Sequence, residues 1–130
     1  MGDQANIYIV QHPIREAKGG IYLYTHWRGA ELPLILQRAL RRGKGHWRDE
    51  PTLARIIFAE MIRDDVLSEM NYAISTYITD NAHDLLVVDC EKLLVGLAET
   101  PVPEDGPILD RSWTFKEFVD LDLASELSDY

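Results

Sequence analysis

Ile21-Tyr22-Leu23-Tyr24-Thr25-His26 has the β-branched and aromatic composition of a strand and gives the clearest indication of the fold in this 130-residue chain. A similar run over residues 5–10 precedes it, and a connection through His12-Pro13 and Gly19-Gly20 predicts an antiparallel pair. Side chains alternate along a strand, so one face carries Ile21, Leu23 and Thr25. We expect the opposite face, with Tyr22, Tyr24 and His26, to be available to a ligand or a second subunit.

Two helices are predicted after this pair. Pro33 suits a first helical turn, and the helix over residues 34–42 ends at Gly43. A second helix begins with Asp49 as its N-cap and extends to about Asp64. Its apolar arc is wide, which is typical of a buried helix. The predicted core comprises Leu53, Ile56, Ile57 and Met61 of this helix with Leu86 and Val88.

Three further strands are predicted from short apolar runs, Tyr72–Ile78, Leu85–Asp89 and Lys92–Leu97, the last two forming a hairpin around Cys90-Glu91. The sequence therefore predicts a single α+β domain with a mostly antiparallel five-stranded sheet, two main helices and a short C-terminal helix.

Residues 1–98 form the expected α+β core, and residues 99–130 form a Pro-rich connector, a short helix and an acidic tail. Ser112 is the predicted cap of the short helix, with Glu117 placed awkwardly for a capping box. The tail is expected to pack on the same domain or on a partner subunit.

The charge is uneven along the chain. Residues 1–98 carry 11 Lys/Arg and 13 Asp/Glu, whereas residues 99–130 carry 2 and 9. A net charge of −9 argues against general nucleic-acid binding, which depends on neutralising many phosphates, but a local basic cluster still suits a small anion. A single cysteine, Cys90, and the lack of any signal-like or membrane-spanning apolar run lead us to expect a cytoplasmic protein with no membrane partner.

The tripeptide His-Trp-Arg occurs twice, at residues 26–28 and 46–48, and the two copies bracket the main basic stretch of the chain. Guanidinium groups pair with phosphate oxygens and indole rings stack on flat rings, so this combination predicts a site for a small anionic ligand, most simply a nucleotide. The predicted ligand-binding residues are Tyr24, His26, Trp27, Arg28, Arg38, Arg41, Arg42, Trp47, Arg48 and Glu60.

Six of these ten residues also have an ordinary structural explanation. Arg38, Arg41 and Arg42 complement the dipole at the end of a helix, and both tryptophans suit core packing or a subunit contact. Glu60 falls inside an apolar arc, where a carboxylate needs an Arg or His partner unless it binds a ligand or acts as a base. The histidines lack metal-ligand spacing, so no metal, other cofactor or catalytic residue is predicted.

Three segments resemble an uncharacterised family of small proteins from phages, prophages and bacteria: residues 21–33, residues 53–62, and Asp80-Asn81-Ala82-His83 with the strand after it. Members typically begin Met-Gly-Asp-Arg-Ala-Asn, where this chain has Gln4. They often carry Asp or Gly at the position of Arg28, and Gly at that of Ala73. The resemblance covers most of residues 1–98. It implies a mobile-element context and no established activity.

Three functional classes remain open. The first is a binding protein that sequesters a nucleotide-type signal, as a phage-encoded counter-defence factor would. The second is an acidic interaction protein or inhibitor that presents its C-terminal segment to a host protein. The third is a small hydrolase or transferase that uses His26 or Glu60 for proton transfer. A homo-oligomer is expected because exposed aromatic residues and a leucine-bearing tail suit a subunit interface.

Overall fold

A computed structural model describes residues 2–10 and 19–130 and gives an α+β fold, as predicted. The predicted connection through His12-Pro13 lies outside the described residues. The helices are α1 (Leu32–Arg42), α2 (Glu50–Met61), α3 (Phe115–Phe118) and α4 (Leu123–Glu126). The strands are β1 (Ala5–Val10), β2 (Gly20–Thr25), β3 (Tyr72–Ser75), β4 (Leu85–Asp89), β5 (Leu94–Ala98) and β6 (Leu109–Thr114).

The sheet has six strands in the order β3-β2-β1-β4-β5-β6, so the predicted count of five is wrong. Four neighbouring pairs are antiparallel, whereas β1 and β4 run parallel with Ile7 opposite Leu86. The missed strand is β6, whose sequence Leu-Asp-Arg-Ser-Trp-Thr is mostly polar. Because β6 lies at the edge of the sheet and is only half-buried, it needs no apolar run.

Helix α2 has Asp49 as its N-cap, as predicted, with its carboxylate accepting from the Thr52 N–H. The predicted short C-terminal helix is present as α3, but its predicted cap is wrong, because Ser112 lies in β6. Thr114 is the cap instead. Its hydroxyl accepts from the Glu117 N–H at 3.0 Å, and the Glu117 carboxylate accepts from the Thr114 N–H at 2.8 Å, which completes a capping box.

The two faces of the sheet are covered differently. Helices α1 and α2 supply most of the core on one face, where five of the six predicted core residues are buried and Ile56 is half-buried. The other face carries a smaller apolar cluster in which the rings of Tyr8 and Tyr22 stack at 4.5 Å. The expectation that Tyr22 is open to a ligand is wrong, because this stack leaves only 8 % of it exposed.

The C-terminal segment packs along α1. The Gln37 side chain donates to the backbone oxygens of Phe118 and Leu121, and Leu127 is buried against the main core. Arg111 of β6 pairs with Glu126 and Asp129. Within residues 2–10 and 19–130, none of the helices has the length and apolar character needed to cross a membrane.

Candidate functional site

The loop that follows β2 folds around Asp3, near the start of the chain. The Asp3 N–H donates to the His26 oxygen at 2.7 Å, and the Gly29 N–H donates to the Asp3 oxygen at 2.8 Å. The Asp3 carboxylate also accepts from the Ala30 N–H at 2.7 Å. The first His-Trp-Arg tripeptide is therefore held on both sides by one residue.

Asp3 and His83 form a close pair in which Nε2 of His83 lies 2.6 Å from Oδ1 of Asp3. Partial burial opposes ionisation of Asp3, but the hydrogen bonds from Ala30 and His83 outweigh it and hold the Asp3 pKa below its ordinary value of 3.8. Gly29 is required at this point because a Cβ there would lie 2.6 Å from the Asp3 oxygen and 3.0 Å from the His83 ring.

Tyr130 covers the His83 ring. The two rings stack at 4.4 Å with an angle of 11° between their planes. The Tyr130 hydroxyl is buried without a hydrogen-bond partner among the described residues, and burial, reinforced by the charges of Asp3 and Asp84, raises the pKa of this phenol far above its ordinary value. Tyr130 therefore stays neutral and acts here as a packing ring.

Tyr24 and His26 form a second polar contact, next to the Asp3–His83 pair and on the same side of the sheet as Tyr22. The Tyr24 hydroxyl lies 2.9 Å from Nδ1 of His26 and also forms a side-chain hydrogen bond with Gln4. Burial raises the pKa of Tyr24, so the hydroxyl remains a donor.

Trp27 follows directly and projects from the fold with 53 % of its surface exposed. Its Nε1–H donates to the Asn71 side-chain oxygen at 2.8 Å, and the His26 ring meets it edge-on at 4.7 Å. An exposed tryptophan is normally free to change rotamer, but these two contacts fix the plane of the indole. We call Trp27 with His26 and Asn71 the Trp27 platform.

Four of the five predicted arginines, Arg28, Arg41, Arg42 and Arg48, donate to acceptors of their own chain. Arg28 pairs with Glu31 at 3.2 Å and donates to the Met61 oxygen at the end of α2, and its contact with Glu31 is the main reason that its pKa is raised. Arg48 makes one long contact, 3.5 Å, to the Glu91 oxygen.

On α1, Arg41 and Arg42 diverge. Arg41 donates to the Val119 oxygen in the C-terminal segment, whereas Arg42 turns toward α2, and Arg38 lies exposed on the same helix. The single ligand site to which Arg28, Arg38, Arg41, Arg42 and Arg48 were assigned from the sequence stays a prediction.

Glu60 forms ion pairs and Trp47 packs in the fold, which are the structural explanations given above for these two residues. Glu60 is 5 % exposed and lies between Arg42 at 3.4 Å and Arg63 at 3.0 Å, which confirms the expected arginine partner. The Trp47 Nε1–H donates to the Leu40 oxygen at 2.8 Å, and the Trp47 ring packs edge-on against Phe115.

Several residues of the site were missed by sequence reasoning. Asp3, Asn71, His83 and Tyr130 were not among the predicted site residues, although Asp3 and His83 lie in segments that carry the resemblance to the phage family. These segments meet because β1 lies between β2 and β4 in the sheet. The buried side chain of Asn6 supports the same junction by donating to the oxygens of Asp80 and Asn81.

Within the described part of the chain, no group of three or more His, Cys, Asp or Glu side chains is arranged to hold a metal ion. Cys90 is buried, and this burial raises the pKa of its thiol to about 12, which makes it a poor nucleophile.

Comparison with known proteins adds no identification: no protein-family model, no curated protein and no solved structure matches the chain.

Proposed function

We propose that the protein binds a small phosphate-bearing ligand with a flat ring, of the nucleotide type, and sequesters it without converting it. The observation that carries the proposal is the Trp27 platform, an exposed indole whose plane is fixed by Asn71 and His26. The mobile-element context implied by the resemblance would make the ligand a host defence signal and the protein a counter-defence factor.

A fixed exposed ring favours stacking on energetic grounds. Each base stacked on an aromatic side chain contributes about 1–3 kcal/mol. Ordering a mobile side chain on binding would remove about 0.5–1.5 kcal/mol of that gain. Because Trp27 is already held by its Nε1–H bond to Asn71, it loses little freedom when a ring is placed on it.

An imidazole, that of His26, and a guanidinium, that of Arg28, lie on the two sides of Trp27 in the sequence. Arg28 is the group suited to a phosphate, because the present partner of its guanidinium, Glu31, is more than half exposed. A phosphate would compete with Glu31 for Arg28. Such exchange between exposed charges is weakened by salt, so binding is expected to be salt-dependent.

Proton-transfer chemistry is the second candidate, and the Asp3–His83 pair is the observation that favours it. A histidine oriented by a carboxylate is a common arrangement for a general base. The stacked Tyr130 ring and the low exposure of His83, 14 %, count against access by a substrate. Glu60 is less suitable still, because its carboxylate is held between two arginines.

The acidic-inhibitor alternative receives less support. The tail acids Glu126 and Asp129 both pair with Arg111, and Leu127 is buried, so part of the tail is committed to its own domain.

Isothermal titration calorimetry tests the proposal with a panel of nucleoside phosphates and cyclic nucleotides, each compared at low and high salt. We expect saturable binding by at least one of them. Trp27→Leu should weaken it about 5- to 150-fold, the equivalent of one lost stacking contact, and Trp27→Phe should weaken it less because a ring remains. Ile108→Ala, an exposed apolar residue away from the tripeptide, is the control and should bind as the wild type does.

The ligand should be recovered chemically unchanged by chromatography after prolonged incubation. Repeated turnover that is lost in His83→Ala or His26→Ala would replace sequestration with the enzyme alternative. Absence of saturable binding across the panel, or equal affinity in Trp27→Leu, would contradict the proposal itself.

A further inference from the structure

Strand β3 lies at one edge of the sheet, and its outward backbone groups follow from its register with β2. The Asn71 oxygen accepts from the His26 N–H at 2.8 Å, so residues 71, 73 and 75 turn their backbone groups toward β2. Alternation then turns the N–H and C=O of Ile74 away from the sheet. The Tyr72 N–H also belongs to the outward set, but it donates to the Met70 oxygen.

Exposed apolar side chains concentrate on the same segment. Most of the large exposed apolar residues of the described chain lie within residues 66–77: Val66, Leu67, Met70, Ile74 and Tyr77. Leu67 is 93 % exposed and Ile74, on the edge strand itself, 55 %. Apolar residues this dense in sequence exceed the scattered single residues that a monomer normally exposes.

The opposite edge of the sheet is protected. Strand β6 carries Asp110 and Arg111, and Arg111 is tied to Glu126 and Asp129 of the tail. Charged side chains on an edge strand discourage pairing with another chain. Strand β3 has no such protection, since residues 70–79 contain no Asp, Glu, Lys or Arg.

We propose that β3 pairs with β3 of a second copy of this chain, antiparallel and about a two-fold axis centred on Ile74. The absence of charge on residues 70–79 is the reason to propose a second copy of this chain, rather than a charged protein, as the partner of β3. Two copies of a chain of net charge −9 repel each other least where the facing segments carry no charge, and a charged partner would find no opposite charge on residues 70–79.

The register between the two β3 strands follows from the N–H and C=O of Ile74, which point away from the sheet. Centring on Ile74 lets both copies exchange the N–H and C=O of that residue and places Ala73 opposite the partner's Ser75, two small side chains. The neighbouring register, centred on Ala73, would require the Tyr72 N–H, which already donates to Met70. Since the charges of β6 protect the other edge of the sheet, association should stop at two copies.

Sedimentation equilibrium tests the dimer directly. Wild-type protein should show twice the 14.9 kDa mass of the chain at about 100 µM. Ile74→Lys places two like charges opposite each other at the axis and should weaken association at least about 100-fold, with an unchanged circular dichroism spectrum. Ile108→Lys, at a residue of similar exposure outside the segment, should remain dimeric. A wild-type monomer, or a dimer that survives in Ile74→Lys, would overturn the proposal.

Cross-linking tests the register. Opposed residues in a hydrogen-bonded antiparallel pair have Cα atoms about 5.5 Å apart, which a disulfide spans. Ile74→Cys should therefore form an intermolecular disulfide under mild oxidation, whereas Ala73→Cys and Ile108→Cys should not. The native Cys90 is buried, so it should not form intermolecular disulfides of its own in this experiment. Faster cross-linking of Ala73→Cys than of Ile74→Cys would refute pairing centred on Ile74.

Discussion

The two copies of His-Trp-Arg have the same residues and different environments. Trp27 is more than half exposed and its Nε1–H is held by the Asn71 side chain. Trp47 is partly buried, its Nε1–H donates to the Leu40 backbone, and its ring packs on Phe115. A repeated tripeptide therefore does not imply a repeated role, because the surrounding chain decides whether an indole packs or remains available.

The residue after each tripeptide explains much of this difference. Gly29 follows the first copy and permits the loop to close tightly around Asp3, which leaves Trp27 outside. Asp49 follows the second copy and caps α2, so the chain enters a helix whose packing against α1 brings Trp47 inward. The residue after the tripeptide thus helps to decide whether its indole is exposed, as Trp27 is, or packed, as Trp47 is.

The largest expected effect is a difference in the free energy of unfolding between Trp47→Ala and Trp27→Ala. Trp47→Ala removes a packed ring and leaves the Leu40 carbonyl without that donor, so we expect a loss of about 3 kcal/mol in the free energy of unfolding. Trp27→Ala removes an exposed ring and should cost less than about 1 kcal/mol. Urea unfolding with a constant m-value measures both. Equal losses would show that Trp27 is a packing residue after all.

A smaller effect is expected at the glycines near the two copies. Gly29→Ala brings a methyl group into contact with Asp3 and His83, and relief of that overlap should cost about 2 kcal/mol. Gly45→Ala, just before His46, is the matched control. A Cβ at residue 45 meets no atom within 4 Å, so the change should stay within about 0.5 kcal/mol. A neutral Gly29→Ala would mean that the loop has room beside Asp3.

The elements with strong patterns were predictable from the sequence. Strands β1, β2 and β4, the Asp49 cap and the apolar face of α2 all follow from local periodicity and capping. Strand β6 could not be predicted, because a polar edge strand lacks the alternation of apolar residues by which strands are recognised. The parallel contact of β1 with β4 is equally hidden, since strand order depends on long-range packing.

The candidate site was predictable only in part. Tyr24, His26 and Trp27 are neighbours in sequence, so a local pattern brings them together. The Asp3–His83 pair joins residues 80 positions apart, and only the placement of β1 between β2 and β4 explains it. Tyr22 shows the limit of alternation: it gives the face on which a side chain lies, but not whether another ring covers that face.

The smallest effect concerns the ionisation of Asp3, whose backbone and carboxylate hold the loop of the first tripeptide. Its pKa lies below 3.8 in the folded protein, so its stabilising contribution is present above that ordinary value and is lost as pH falls through the lower folded value. Asp3→Asn should therefore reduce the free energy of unfolding at pH 7, by less than about 1 kcal/mol because the carboxylate is partly exposed. The difference from wild type should shrink below about pH 4.

Urea unfolding between pH 3 and pH 7 provides the measurement. Asp49→Asn is the control at the second copy, because asparagine also caps a helix and should change stability little at any pH. A loss in Asp3→Asn that is equally large at pH 3 and pH 7 would assign the role of Asp3 to shape rather than charge. The Asp3 side chain would then support the loop by its fit, beside the backbone bonds of Asp3 to His26 and Gly29.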